Sequence, residues 1–340
     1  MRKSRRLFLL WVVLALAFAA MGTTFAQDDV LNIVTTTTQA TDLVTILAGD
    51  LVGESVQITG LMGAGVDPHL YKPTESDIAA MNAADLVIYS GLHLEGQFDE
   101  VFQALGQRNI RTYAVSDPVK DAGFIIGGFR LSEELTDVDD PHFWFDPRNW
   151  QLTTEGVLEV LAEVDPDHAA VYQANAEAYI AQLDLLYNWG VEAMSEVPEE
   201  QRVLVTSHDA FQYFGAAFGW EVRGLQGIST VAEAGVADVQ DIASFVVERD
   251  IPVMFVESSV PPDAIEAVQE AANAEGGEVG LGIRSLYSDA MGAPETFGGT
   301  YIGMIAENVI TILQSFGYEV PAWPEDLEPV LPADLLELES

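Results

Sequence analysis

Short β-rich runs alternate with helical patterns, break once for a single long helical stretch, and then resume, and this constrains the chain more than any other feature. LNIVTT (31–36) precedes a helical pattern near 40–51, VQITGL (56–61) precedes one at 75–83, and DLVIYSG (85–91) leads on to RTYAV (111–115). Such order predicts a parallel sheet covered by helices. From 167 to 197 the sequence is rich in Ala and Leu at helical spacing, with Pro166 and Pro198 at its borders. It predicts one helix of roughly 30 residues, about 45 Å at 1.5 Å per residue. The alternation restarts with RVLVTS (202–207), a helix over 210–218, VRGLQGI (222–228), a helix over 237–249, PVMFVES (252–258), and helices over 263–274 and 300–316. Two α/β lobes on one helical spine account for the pattern.

The first residues, MRKSRRLFLLWVVLALAFAAMGTTFAQ, put Arg2, Lys3, Arg5 and Arg6 before an apolar run and end it on Thr24-Phe25-Ala26. That is the pattern of a secretory signal peptide over 1–26, with an uncleaved anchor as the other reading. The apolar run from Leu7 to Met21 is shorter than the roughly 20 residues a bilayer span needs. The expected divisions are then an N-terminal lobe over 27–166, the linking helix over 167–197, a C-terminal lobe over 198–320, and an acidic, Pro-rich tail over 321–340 that need not be fully structured. The chain holds no cysteine, so disulfides, thiolate ligands and a lipidated thiol are not expected, and any metal site must use nitrogen and oxygen. The corresponding expectation for location is an exported, periplasmic or otherwise extracytoplasmic protein without a lipid. A formal charge of −40 makes nucleic acid a poor partner. With 49% hydrophobic residues the chain buries a core and carries its acids on the surface.

Three of the five histidines stand at or after the C-terminal ends of predicted strands, where open α/β sheets bind ligands. His69 lies in VDPHLYKPTESD, His142 in DDPHFWFDP and His208 in VTSHDAF, so Asp-Pro-His occurs twice. A proline before a histidine fixes one backbone angle and helps hold the imidazole in one direction, which suits a metal ligand. Each Asp-Pro also reads as turn chemistry beside a polar loop histidine. Asp289, in SLYSDAMGAPETFGG, is the fourth candidate. Three neutral imidazoles and one carboxylate would give a divalent ion a four-coordinate shell that zinc accepts well and that manganese or iron also fits. Glu257, ending the core strand in MFVESSVPP, either orients a ligand histidine or faces solvent. Asp209 does similar work or caps the helix expected from Ala210. His93, in SGLHLEGQF, is a candidate wall of the pocket, and His168 is expected on the surface where the spine begins.

The segments DPHLYKPTESD, ADLVIYSGLHLEGQFD, DPHFWFDP, SHDAFQYF, GISTVAEAG, FVESSVPP and LYSDAMG, with TYIGMIAENV after them, together resemble the zinc- and manganese-type substrate-binding proteins of bacterial ABC importers, the cluster A-I family. The resemblance runs from about Val30 to Gln314. It implies two Rossmann-like α/β lobes joined by a single long rigid helix, with one metal ion in the interlobe cleft and an importer permease as recipient. Carried over position by position, the ligands would be His69, His142, His208 and Asp289. In the family the third ligand is His in some members and Glu in others, and His208 leans towards zinc, with manganese next. The His- and acid-rich loop of many dedicated zinc receptors is absent here.

The resulting expectation is a monomeric receptor that captures one divalent transition-metal ion, His69 and His142 from the first lobe and His208 and Asp289 from the second, and is not an enzyme. Four protein ligands close the shell, whereas zinc hydrolases leave a position to water. Ser207-His208-Asp209 has the residue types of a hydrolase triad without the convergent placement or the G-x-S-x-G elbow. A surface adhesin or interaction protein, with the metal serving structure only, is the other alternative.

Overall fold

The computed structural model describes residues 30–130 and 136–336, and within them the strand–helix alternation is realised twice. The signal-peptide expectation over 1–26 falls on residues outside those described. In the first lobe β1 (Leu31–Thr35), α1 (Thr38–Ala48), β2 (Val56–Gly60), α2 (Glu75–Ala83), β3 (Leu86–Tyr89), α3 (Asp99–Gln107), β4 (Arg111–Ala114) and the short α4 (Asp117–Asp121) follow one another. The four strands form a parallel sheet in the order β2-β1-β3-β4, with Leu31 opposite Val56 and Ile33 opposite Leu86. A strand covered on both faces reads as an unbroken apolar run, which is what LVIY of β3 is. Local chemistry starts the helices: Thr37 Oγ1 accepts from Ala40 N at the start of α1, and Thr74 and Asp77 exchange side chain-to-backbone hydrogen bonds at the start of α2.

A small antiparallel pair, β5 (Phe129–Arg130) and β6 (Thr136–Val138), precedes two helices, α5 (Pro147–Val164) and α6 (Ala169–Met194). The 18-residue α5 is a helix the sequence reading did not contain. Its start signal is present, since the Asp146 carboxylate accepts from Arg148 N at 2.9 Å and Pro147 opens the first turn. Thr153, Thr154 and Gly156 weaken its propensity, and packing along α6 makes up the difference. The spine itself is α6, 26 residues or about 39 Å. It is shorter than expected because Pro166–His168 forms a separate 3-10 turn and the helix ends at Met194, three residues early. Its buried positions, Tyr172, Ala176, Tyr179, Leu183, Leu186, Trp189 and Ala193, recur every three or four residues and make one apolar stripe.

In the second lobe come β7 (Val203–His208), α7 (Gln212–Phe218), β8 (Glu221–Gln226), α8 (Val236–Glu248), β9 (Val253–Met254), α9 (Asp263–Ala274), β10 (Gly280–Leu281) and α10 (Tyr301–Ser315). All six residues of β7 are buried. It pairs in parallel with β8, and the bridge Thr206–Phe255 joins it to the parallel pair β9–β10. The strand expected over 252–258 is reduced to two ladder residues. Its carbonyl partners explain this: Gly282 N bonds Met254 O and Leu286 N bonds Val256 O, so one chain advances four residues while the other advances two.

The largest apolar cluster contains Ile33 and Ile88 of the first sheet, Leu183 and Leu186 of α6, Leu204 of β7 and Ile305 and Val309 of α10. The described part of the C-terminal tail is ordered against the spine. Gln182 Nε2 donates to Asp326 O at 3.0 Å, Glu328 N donates to Gln182 Oε1 at 2.7 Å, and the Trp323 ring lies 4.9 Å from Trp189. Among the described residues no helix is long and apolar enough to cross a membrane.

Candidate metal centre

Each of the three histidines stands where a strand has just ended or a loop is pinned, and each is held by a carboxylate. His69 lies in the loop after β2, where Asp67 Oδ1 accepts from His69 N at 2.8 Å and Asp67 Oδ2 accepts from Thr230 Oγ1 of the second lobe at 2.6 Å. His142 opens the 3-10 turn Phe143–Phe145, and Asp140 Oδ1 lies 2.9 Å from its backbone N and 2.7 Å from its Nδ1. His208 is the last residue of β7, and Glu257 reaches its backbone N with Oε1 at 2.7 Å and its Nδ1 with Oε2 at 2.5 Å. A carboxylate at Nδ1 holds the proton there and leaves the Nε2 lone pair facing the other way.

What the Nε2 atoms face is one another and Asp289. His142 Nε2 is 3.2 Å from Asp289 Oδ1, His208 Nε2 is 3.3 Å from Asp289 Oδ2, and the two Nε2 atoms are 3.4 Å apart. The His69 ring stands 5.6 Å from that of His142 and 6.0 Å from that of His208. One ligand atom from each of His69, His142, His208 and Asp289 lies within 4.8 Å of the other three, and all four residues are buried. Four donors about a tetrahedral ion at bond lengths near 2.0 Å stand about 3.3 Å apart, so the cluster has the spacing such an ion needs. His69 Nε2 has no hydrogen-bond partner among the described residues, a costly state for a buried polar atom that a cation would relieve.

Charge follows the same geometry. Burial pushes the His142 ring down, but Asp140 and then Asp289 outweigh it and raise the ring to about 9. Burial also opposes charge on His208, and Asp289 with Glu257 raises it well above its ordinary value. Burial would lift Asp289, yet His208 and His142 hold it well below the carboxylate range. His69 has no carboxylate against its ring, so burial dominates, Asp289 only partly offsets it, and the ring falls to about 3. Two rings therefore carry protons that a cation must displace, and the third is already neutral.

The remaining candidates separate. Glu257 is seated behind His208 as described. Asp209 turns to its own segment, where Oδ1 accepts from Gln212 Nε2 at 2.6 Å, and the helix starts at Gln212, so Asp209 does not cap it. His93 lines a cavity of about 1110 Å³ that also reaches His69 and Glu95, and its exposed ring stands 3.4 Å from Asp99. His168 pairs with Asp165 at the start of the spine. The sequence reading passed over Asp67 and Asp140 as ligand holders, although the signal was present: each is the Asp of an Asp-Pro-His, two residues before the histidine it holds, Asp67 by the backbone and Asp140 by backbone and ring.

The chain is similar to the manganese-binding lipoprotein MntA of Bacillus subtilis, with 40% identity over 290 residues, 85% of this chain and 91% of that protein. It is 42% identical over 290 residues to the zinc-binding protein TroA of Treponema pallidum, 85% of this chain and 89% of that one. The solved structure of the periplasmic zinc-binding protein TroA from Treponema pallidum superimposes with a TM-score of 0.77 at 40% identity, over 84% of this chain and 99% of that chain. The expectation of a protein without a lipid is corrected at this point. A relative at 40% identity over most of both chains is named a lipoprotein, so the absence of cysteine from this sequence does not establish a freely diffusing form. Residues 33–315, most of the chain and both lobes, match one family, and the chain belongs to it: ZnuA, zinc-uptake complex component A, periplasmic.

Proposed function

We propose that this chain captures one divalent transition-metal ion at His69, His142, His208 and Asp289 and hands it to the permease of an ABC importer. The observation that carries the reading is a buried cluster of four donors at metal-ligand spacing in which His69 Nε2 has no partner among the described residues. The names of MntA and TroA, a manganese binder and a zinc binder, point the same way. Three imidazoles and one carboxylate favour zinc, with manganese next. With a divalent ion the four ligands total +1, and the carboxylates of Asp140 and Glu257 behind two of the rings balance the buried charge. Four protein donors leave no position for a reacting water, which fits a carrier better than a hydrolase. One copy supplies every donor, so a monomer suffices. On this reading the lobes divide at 27–166 and 198–320, with 167–197 between them, and α6 supports that division by lying between the two sheets in sequence.

Isothermal titration with zinc tests the reading. The wild-type protein is expected to bind one ion, and His208→Ala to lose about two orders of magnitude or more in affinity by giving up one direct ligand. Unchanged affinity would remove the site. Competition between zinc and manganese for the same protein then ranks the two ions.

A further inference from the structure

The segment carrying Asp289 is held from both lobes. Just before the ligand its attachments are to the second lobe: Tyr287 N donates to Asn308 Oδ1 at 2.8 Å, Asn308 Nδ2 donates to Tyr287 O at 2.7 Å, and Ser258 N donates to Leu286 O at 2.8 Å. The carboxylate itself lies 3.5 Å from Ser259 Oγ of the second lobe, while the main chain from Asp289 onward turns to the first. Gln39 Nε2 donates to Asp289 O at 3.1 Å, Met291 N donates to Thr38 Oγ1 at 2.9 Å, and Tyr301 N donates to Asp42 Oδ2 at 2.9 Å. Thr38, Gln39 and Asp42 all belong to the first two turns of α1, the helix that leaves β1 of the first sheet. Residues 38 and 42 are one turn apart on a common face.

The bonds at 38 and 39 form a directed relay. Thr38 Oγ1 accepts from Met291 N and spends its one proton on Gln39 Oε1, 3.0 Å away, which fixes the amide so that Nε2 points at Asp289 O. Gln39 is 2% exposed, so water is a poor substitute for either partner. Residues 287–291 belong to no helix or strand, and no ladder sets the position of Asp289.

We infer that Thr38 and Gln39 are positioning residues for the ligand Asp289, and that α1 of the first lobe, by holding its main chain, shares in fixing where its carboxylate stands. The inference rests on the metal-capture reading and deepens it. His69 and His142 then stand on the first lobe, Asp289 is shared between the two, and His208, backed by Glu257, is the one donor held by the second lobe alone. A movement between them takes His208 away first, and whether Asp289 stays with the ion on the first lobe is governed by how firmly the relay keeps it in place.

The test uses the full chain loaded with zinc or with cobalt(II), whose visible bands report coordination geometry. Gln39→Met keeps length and removes both hydrogen bonds; Thr38→Val keeps shape and removes the hydroxyl. Each is expected to speed zinc dissociation to a chelator by about tenfold, the lower end for residues that orient a ligand, and to shift the cobalt bands, while the unfolding temperature of the metal-free protein stays close to wild type. The double variant is expected to cost little more than Gln39→Met alone, because the relay acts as a unit. If Gln39→Met does not fold, Thr38→Val decides by the same two readings. Wild-type dissociation rates and cobalt bands in the folded variants, with His208→Ala still losing zinc, would overturn the inference alone; zinc affinity unchanged in His208→Ala would instead overturn the capture reading on which it stands.

Discussion

A ring nitrogen that faces a buried carboxylate has only the other nitrogen left for a cation, and His142 and His208 are both built in that way. The same carboxylates set the acidity of the site. With His142 raised to about 9 and His208 raised above its ordinary value, the metal-free protein holds protons at neutral pH where the metal must bind. A raised histidine keeps its proton below its folded-state value and loses it above, so competition from protons eases only as pH climbs through that value. Zinc affinity is therefore expected to keep rising from about pH 6 to about pH 9, well past the ordinary histidine value near 6.5. Titrations in buffers of different ionisation enthalpy measure the accompanying proton release. An affinity that is flat above about pH 7, with no protons released there, would contradict the charge state assigned to His142.

At the scale of elements, α1 does more than cover the sheet. Its N-terminal turns reach across to the Asp289 segment, and Asp42 on the same face accepts from Tyr301 N at the start of α10. Burial pushes the Asp42 carboxyl up to about 7, with the bond to Tyr301 opposing it. A carboxyl raised in the folded state contributes stability that is complete below its unfolded value near 4 and is lost as pH rises through about 7. Asp42→Asn keeps an acceptor for Tyr301 N and does not titrate. Its unfolding temperature is expected to gain on wild type as pH is taken from about 4 to about 8, and a difference that stays constant across that range would show that Asp42 is not the group responsible. Elements with strong local signals were legible in the sequence. The Thr74 capping box marked the start of α2, and the apolar run of β3 and the all-buried β7 stood where expected. The helix α5 was missed because Thr153, Thr154 and Gly156 dilute its pattern, and β9 came out short because its partner chain bulges between 282 and 286.

At the scale of the whole molecule the two lobes share an apolar cluster that runs from β1 and β3 through α6 to β7 and α10. A shared core makes unfolding of one lobe expensive for the other. Leu183, fully buried on α6, sits inside that cluster. Leu183→Ala is expected to cost about 3 kcal/mol and to lower one common thermal transition. Calorimetry that resolves two transitions, only one of them moved by the substitution, would contradict a single cooperative unit. The described part of the tail adds to the same body, since Trp323 packs on Trp189 and Leu327 is buried, where its Pro-rich, acidic composition had left its structure open.

By itself the sequence determined the α/β class and one long helix, because helical spacing and apolar runs are local patterns, and it offered His69, His142, His208 and Asp289 only as candidates. Only the tertiary structure decided how those residues are held. Glu257 lies forty-nine positions from the ring it steadies, and Gln39 bonds a residue 250 positions away. Bonds of that range leave no period or motif behind. They exist because buried polar groups must find partners, and which partners lie within reach is set by how the two sheets close on α1 and α6.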